Sequence, residues 1–368
     1  MPRYPRKLHV LVATPSGIAG QGGIDRMMAA LKQEFERQGI ADIDLRFLTS
    51  RGSGHVAFSV FHTLGFCLRM LAARLAGRAD VVHLNLSVAG STYRKMAIAA
   101  CARLLSIPYV LHLHGGEYPL FWKDDDGFLS RRIRSLFEHA AQVIVLGRVW
   151  QAFVAGRAPG VREIAIVPNA AAIPTLAHSG GGDRVHILFL GRLSAGKGVP
   201  ELCEALSRLR TRADWRATIA GDGDVAGTGA SLAALGIAER VALPGWVAPD
   251  AVAALIATAD ILVLPSFVEN LPLSVIEGMA AGLAVVATPV GAVEDIVTDG
   301  QSGLLVAPGD VGGLTAALER LVDDPPLRAR LGAAALAVHR ERLALAPFVG
   351  AICGIWRSVA SRKPPDEG

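Results

Sequence analysis

Two carboxylates eight positions apart, Glu269 and Glu277, stand in the run SFVENLPLSVIEGMAAG at residues 266–282. The run opens as a loop with Pro272 and continues as a small-residue helix. That sets one carboxylate at the helix mouth and the other two turns in, so both can face one ligand. A second element, FLGRLSAGKGVPELCEAL from residue 189, ends a strand at Gly191, places Arg192 and Lys197 in the next loop, and begins a helix near Pro200. Two cations five residues apart at a strand end can neutralise a diphosphate, arginine through directed bonds and lysine as a mobile charge. The amides of Asn270, Leu271 and Leu273, near a helix N-terminus, can add hydrogen bonds to hydroxyls and a phosphate.

Other candidates are less specific. His114 ends a strand before the Gly115–Gly116 turn, and His112 shares its strand face, so alternation does not separate them. Glu117 suits either an acceptor hydroxyl or a loop cap. Gly22 and Gly23 sit in a loop between the first strand and a helix beginning near residues 24–26, where backbone amides can face a phosphate. Arg94 and Lys95, beside Ser91 and Thr92 near a helix start, suit a phosphate or glycan headgroup. Walker A does not fit, because Gly198 follows Lys197, and GIAGQGGI lacks the dinucleotide GxGxxG spacing.

Elements must position these groups. Strand signals at 8–13, 42–49, 80–86, 108–115 and 142–147, then at 185–191, 216–223, 241–246, 260–266, 283–288 and 303–308, alternate with helical stretches. Such alternation predicts parallel sheets covered by helices, with ligands at the carboxyl ends of the strands. Residues 168–184 (PNAAAIPTLAHSGGGDR) lack periodicity and read as a linker, and residues 346–361 carry apolar side chains at helical spacing. Residues 362–368 read as frayed.

A chain of 368 residues with 51% hydrophobic content, 40 glycines and few aromatics fits a two-domain α/β protein and argues against an all-β lectin. The four cysteines are scattered without metal or disulfide spacing, which points to a reducing cytoplasm. No run is long enough for a membrane span or a signal peptide. Residues 1–175 hold 21 basic and 12 acidic side chains, net +9, and the remainder 16 and 21, net −5. The basic half suits an anionic membrane or a phosphorylated acceptor, with ordinary solvated helices the alternative. Residues 55–78 pair a long apolar face with Arg69, Arg74 and Arg78; this reads either as a packed core helix or as an interfacial one.

The E-x7-E run resembles the signature of retaining glycosyltransferases of family 4, and GGI at 22–24, HLHGGE at 112–117, FLGRLSAGKG at 189–198 and PGWV at 244–247 are similar at matching positions. The resemblance implies the GT-B fold, α/β, two Rossmann-like domains facing across a cleft: residues 1–170 on the acceptor side, 171–345 binding the nucleotide sugar, and 346–368 returning to the first domain. By resemblance, Arg192 and Lys197 bind the donor diphosphate and stabilise the leaving nucleotide. Glu277 holds the ribose, Glu269 and His114 lie by the donor sugar, and the base contacts loop backbone near Trp246 and Val247. ENLP departs from the commoner E-G-F-G form at Asn270 and Pro272, which stiffens the loop and leaves sugar selectivity open.

The implied activity is transfer of a hexose from a UDP- or GDP-sugar to a glycan or lipid-linked acceptor in exopolysaccharide, capsule or lipopolysaccharide synthesis. It needs no metal and no cofactor, and no nucleic acid is involved. The expected place is the cytoplasm or the inner face of the plasma membrane, with peripheral contact to anionic lipid. A sugar-nucleotide epimerase, a phosphorylase with lysine-bound pyridoxal, and a catalytically silent nucleotide-sugar-binding protein are the competing readings.

Overall fold

The computed structural model describes residues 6–17, 20, 22–52, 58–125 and 127–362. Gln21, residues 55–57 of the stretch read as amphipathic, and residues 363–368 lie outside the described residues. The chain forms two compact units, Met1–Pro168 with Leu345–Gly368, and Asn169–Ala344.

In the first unit the order is β1 (Leu8–Thr14), α1 (Gly23–Arg37), β2 (Ile43–Thr49), α2 (Ser59–Leu75), β3 (Val81–Leu86), α3 (Gly90–Leu104), β4 (Tyr109–Leu113), α4 (Tyr118–Phe121), α5 (Phe128–Glu138), β5 (Gln142–Val145), α6 (Arg148–Arg157) and β6 (Ile164–Ile166). The second runs β7 (Val185–Leu190), α7 (Val199–Arg208), β8 (Trp215–Ala220), α8 (Val225–Ala234), β9 (Val241–Gly245), α9 (Pro249–Thr258), β10 (Ile261–Leu264), α10 (Leu273–Ala280), β11 (Ala284–Ala287), β12 (Leu304–Leu305), α11 (Val311–Asp323) and α12 (Pro325–Val338). The last helix, α13 (Leu345–Ser361), packs on α1, β1 and β3 of the first unit.

Each unit is one six-stranded parallel sheet, ordered β2-β1-β3-β4-β5-β6 in the first and β12-β11-β10-β7-β8-β9 in the second. These are Rossmann-like sheets. The strands read as apolar runs because helices cover both faces: every residue of β3, β4, β5, β10 and β11 is buried. Strand order reverses between β1 and β3 in one sheet and between β7 and β10 in the other. Loops leaving the carboxyl ends at such a reversal diverge and open a crevice.

The structure differs from expectation at a few elements. Strand β6 is three residues long and gave no signal of its own, and β12 has only two residues of the apolar run 303–308. The passage that follows Pro168 is tied to the second unit. Ser179 N donates to Ala257 O at 2.8 Å, Gly181 N to the Asp260 carboxylate at 2.9 Å, and Ala171 N to Leu343 O at 3.1 Å, all within the second unit.

Candidate active site

In the second unit, β7 ends at Leu190 and the chain turns through Gly191, Arg192 and Ser194 into a single 3-10 turn, Ala195–Lys197. Gly198 follows at φ +70°, and a Cβ there would lie 2.0 Å from Pro265 O. Only glycine lets the β7 loop lie this close to the β10 loop. The contact is sealed by Phe267 N donating to Gly196 O at 3.0 Å.

That approach joins residues 72 positions apart in sequence. Lys197 Nζ donates to Glu269 Oε1 at 2.5 Å, and Ser266 Oγ donates to the same oxygen at 2.8 Å. Ser266 is itself held, because Thr288 Oγ1 donates to its carbonyl at 2.5 Å. The Glu269 side chain is 10% exposed and that of Lys197 30%, so the pair stands at a partly desolvated loop edge where a charge is worth more than in bulk water. Arg192 is exposed on the same loop. Glu269 is no helix cap. The N-cap of α10 is Pro272, at φ −72°, with no side-chain bond.

The loop 266–272 is built rigidly. Asn270 and Leu271 are buried; Asn169 Nδ2 donates to Leu271 O at 2.8 Å and Ala292 N to Asn270 O at 2.7 Å. Gly291, at φ +60°, lets the turn after β11 lie against the carbonyls of Glu269 and Asn270, since a Cβ would lie 2.4 Å from each. Leu273 begins α10 and Glu277 sits half-buried in its second turn. Gly278 brings α10 onto β10, its position 2.8 Å from the Leu262 side chain for any added Cβ. Val247 is half-buried beside the exposed Trp246, in the loop between β9 and α9. Loops after β7, β9 and β10 leave the same carboxyl edge, and the Lys197–Glu269 pair marks the β7/β10 reversal.

The first unit gathers a different set at its reversal. Gly22 is the N-cap of α1 and Gly23 its first residue, so the helix begins one residue earlier than expected. Asn85 of β3 donates from Nδ2 to Ala13 O at 3.2 Å, which turns Oδ1 toward His114 Nε2 at 2.9 Å. His114 therefore donates from Nε2 and keeps Nδ1 as an acceptor. Burial, then His83, pulls its pKa down to about 3, so the ring is neutral at ordinary pH. His112 and His114 do separate in the structure: His112 is fully buried, its ring 4.0 Å from that of His114, whereas His114 is half-buried. Behind them Trp356 of α13 donates to His83 Nδ1 at 3.1 Å, leaving His83 Nε2 to donate to His112 Nδ1 at 3.3 Å. Burial pushes the His83 pKa down to about 4.

Lys95 is not open to a headgroup. It is fully buried, with Nζ donating to Ser50 Oγ at 2.7 Å, and burial, then Arg94, lowers its pKa to about 7. Helix α3 simply starts four residues earlier than the pair, at Gly90, and Lys95 falls on its inner face. Arg94, half-buried, has a buried Nε with no hydrogen-bond partner among the described residues. Glu117 is exposed and its side chain makes no capping bond to α4. Asn85, Ser266 and Thr288 escaped sequence reasoning. Their only signal is a polar residue at the end of an otherwise apolar strand. Among the described residues no group of three or more His, Cys, Asp or Glu is arranged to hold a metal.

The family described as glycosyl transferases group 1 matches residues 184–324, and the glycosyl transferase 4-like domain matches residues 5–170. The chain is 30% identical to a glycogen synthase of Mycobacterium tuberculosis over 293 residues, 76% of this chain and 68% of that one. It is 32% identical to an alpha-D-kanosaminyltransferase of Streptomyces kanamyceticus over 179 residues, 48% of this chain and 46% of that protein. In three dimensions it is similar to Anabaena HepE in complex with UDP and glucose, with a TM-score of 0.76, 19% identity, and coverage of 95% of this chain and 100% of that one.

Proposed function

The chain belongs to the group 1 glycosyl transferases, and we propose from that premise that it moves a hexose from a UDP- or GDP-sugar to a glycan or lipid-linked acceptor, retaining anomeric configuration and using no metal. The observation that carries this reading is the Lys197–Glu269 pair at the β7/β10 reversal, with exposed Arg192 on the same loop.

In this reading Arg192 and Lys197 meet the diphosphate. Lys197 has three donors and, among the described residues, spends one on Glu269, which leaves two for phosphate oxygens. As the bond from the anomeric carbon to the β-phosphate oxygen breaks, negative charge grows on that oxygen, and these preset cations stabilise it without reorganising. The acceptor hydroxyl adds to the same face of the anomeric carbon and its proton passes to the departing phosphate oxygen. Metal independence follows from the same cations supplying the charge a divalent ion would bring. Glu277 takes the ribose hydroxyls, and the amides of Asn270, Leu271 and Leu273, stiffened by Pro272, take sugar hydroxyls and the distal phosphate. Val247 backbone takes the base. Gly22, Gly23 and His114 are the first unit's candidates toward the donor. Arg94 and Glu117 are its candidates toward the acceptor. Surface-polysaccharide assembly at the inner face of the plasma membrane is the setting that a lipid-linked acceptor suits.

The test is nucleotide release from a panel of UDP-, GDP- and ADP-sugars, with and without a lipid-linked acceptor extract, in the presence and absence of a chelator. Acceptor-stimulated release from one donor, unchanged by chelator, is the expected result. Isomerised donor without acceptor would replace this reading with an epimerase, and loss of turnover in chelator would remove the metal-independent mechanism.

A further inference from the structure

Helix α2 carries its apolar residues on the wrong side for a core helix. The residues it buries are Ser59, Thr63, Phe66 and Met70, two of them hydroxylic. Facing away are Val60, Phe61, Leu64, Leu68, Leu71 and Leu75, with exposures from 38% to 80%. At 3.6 residues per turn these six fall within about 100° of the helix circumference, a continuous stripe rather than scattered apolar residues. Contiguous exposed patches of this kind mark an interaction surface. The stripe lengthens at its C-terminal end, where Arg74 Nε donates to Leu105 O at 3.0 Å and Leu104 of α3 is 85% exposed.

Charge identifies what covers it. Residues 45–116 carry eight arginines and lysines against one acid, Asp80, and Asp80 is already paired with Arg6 at 2.8 Å. Arg69 and Arg74 flank the stripe on its two sides and Arg78 follows its end, all exposed. A second protein would have to match an apolar stripe bordered by arginines. A bilayer with anionic headgroups matches both the apolar face and the arginine border at once. No helix among the described residues is long and apolar enough to cross a membrane, so the contact lies in the plane of the interface.

We infer that the outer face of α2 is a membrane-docking surface, which seats its apolar stripe among the acyl chains of an anionic bilayer with Arg69, Arg74 and Arg78 at headgroup level. This stands on the surface alone and does not require the donor site. The test is vesicle flotation of the full chain with phosphatidylcholine alone and with about one third phosphatidylglycerol added. The wild-type protein floats with the anionic vesicles only, and flotation falls as salt is raised. Leu64→Ser with Leu68→Ser lowers the bound fraction about tenfold or more by removing apolar burial, and Arg69→Gln with Arg78→Gln lowers it through charge alone. All four side chains are exposed, and unchanged thermal melting verifies the fold. Lys197→Ala floats like the wild type, which separates this claim from the catalytic one. Absence of flotation, equal flotation of the stripe variant, or a wild-type dimer that the stripe variant converts to monomer would each overturn it.

Discussion

Both sheets are six-stranded and parallel with one reversal of strand order, and they differ in what they put at that reversal. In the second unit the β7 and β10 loops set a lysine against a glutamate where both keep some contact with solvent. In the first, β3 and β4 set three imidazoles in a row, two of them fully buried, and a lysine with no exposed surface lies beneath α3. The difference teaches that the fold supplies only the place. Charge left at a loop edge can meet a charged ligand, whereas imidazoles sunk among buried strands are held neutral.

The comparison breaks first if the charged edge is dispensable. Lys197→Ala should lower donor turnover by about 10² to 10³, the scale of losing one preset charge-stabilising group, read by nucleotide release. Turnover within about threefold of wild type would remove the diphosphate role.

The next effect belongs to the buried lysine. Its folded pKa is about 7 against an unfolded value near 10.5, so the unfolded state binds more protons between these values and stability rises with pH across that window. The penalty is full below pH 7. Lys95→Met should therefore stabilise the protein most at pH 6 and lose about 2 to 3 kcal/mol of that advantage by pH 9, measured as denaturant unfolding of both proteins. A pH-independent difference would mean the ammonium is not desolvated.

Smaller still, Trp356→Phe removes the donor to His83 while leaving the apolar ring. It should cost about 1 kcal/mol in the same unfolding experiment. Least of all, His114→Asn should leave the shape of the pH–rate profile unchanged between pH 5 and 9, because the native ring is already neutral there. A limb near pH 6.5 that vanishes in the variant would show an imidazole that titrates.

Much of this was legible in the chain. The apolar runs at 80–86, 108–115 and 260–266 are strands because burial on both faces demands unbroken hydrophobicity, and the helical spacing of Phe348, Ile352, Trp356 and Val359 marks α13. Strand β6 was not legible, since Ile164–Ile166 is too short to show a period. At the site, residue type and position picked out Lys197 and Glu269 separately, but their bond depends on a Gly198–Pro265 approach that no local pattern encodes. Asn85 and Ser266 were missed for the same reason: each acts on a partner brought near only by the sheet. Lys95 was misread as open because its helix phase, set by a start at Gly90, decides which side it faces. The close packing inside the linker passage was not legible either: a Cβ on Gly181 would meet Arg184 O at 2.2 Å, an approach that no local pattern encodes.

The most direct test of the central claim, that the β7/β10 reversal is a diphosphate site, is calorimetric titration of UDP and GDP into the wild-type protein, Arg192→Ala and Lys197→Ala. Binding of one nucleotide that weakens by about 1.5 to 3 kcal/mol in each variant, as for loss of a hydrogen bond to a charged group, is the expected result. Equal affinity in all three proteins would place the diphosphate elsewhere and contradict the account.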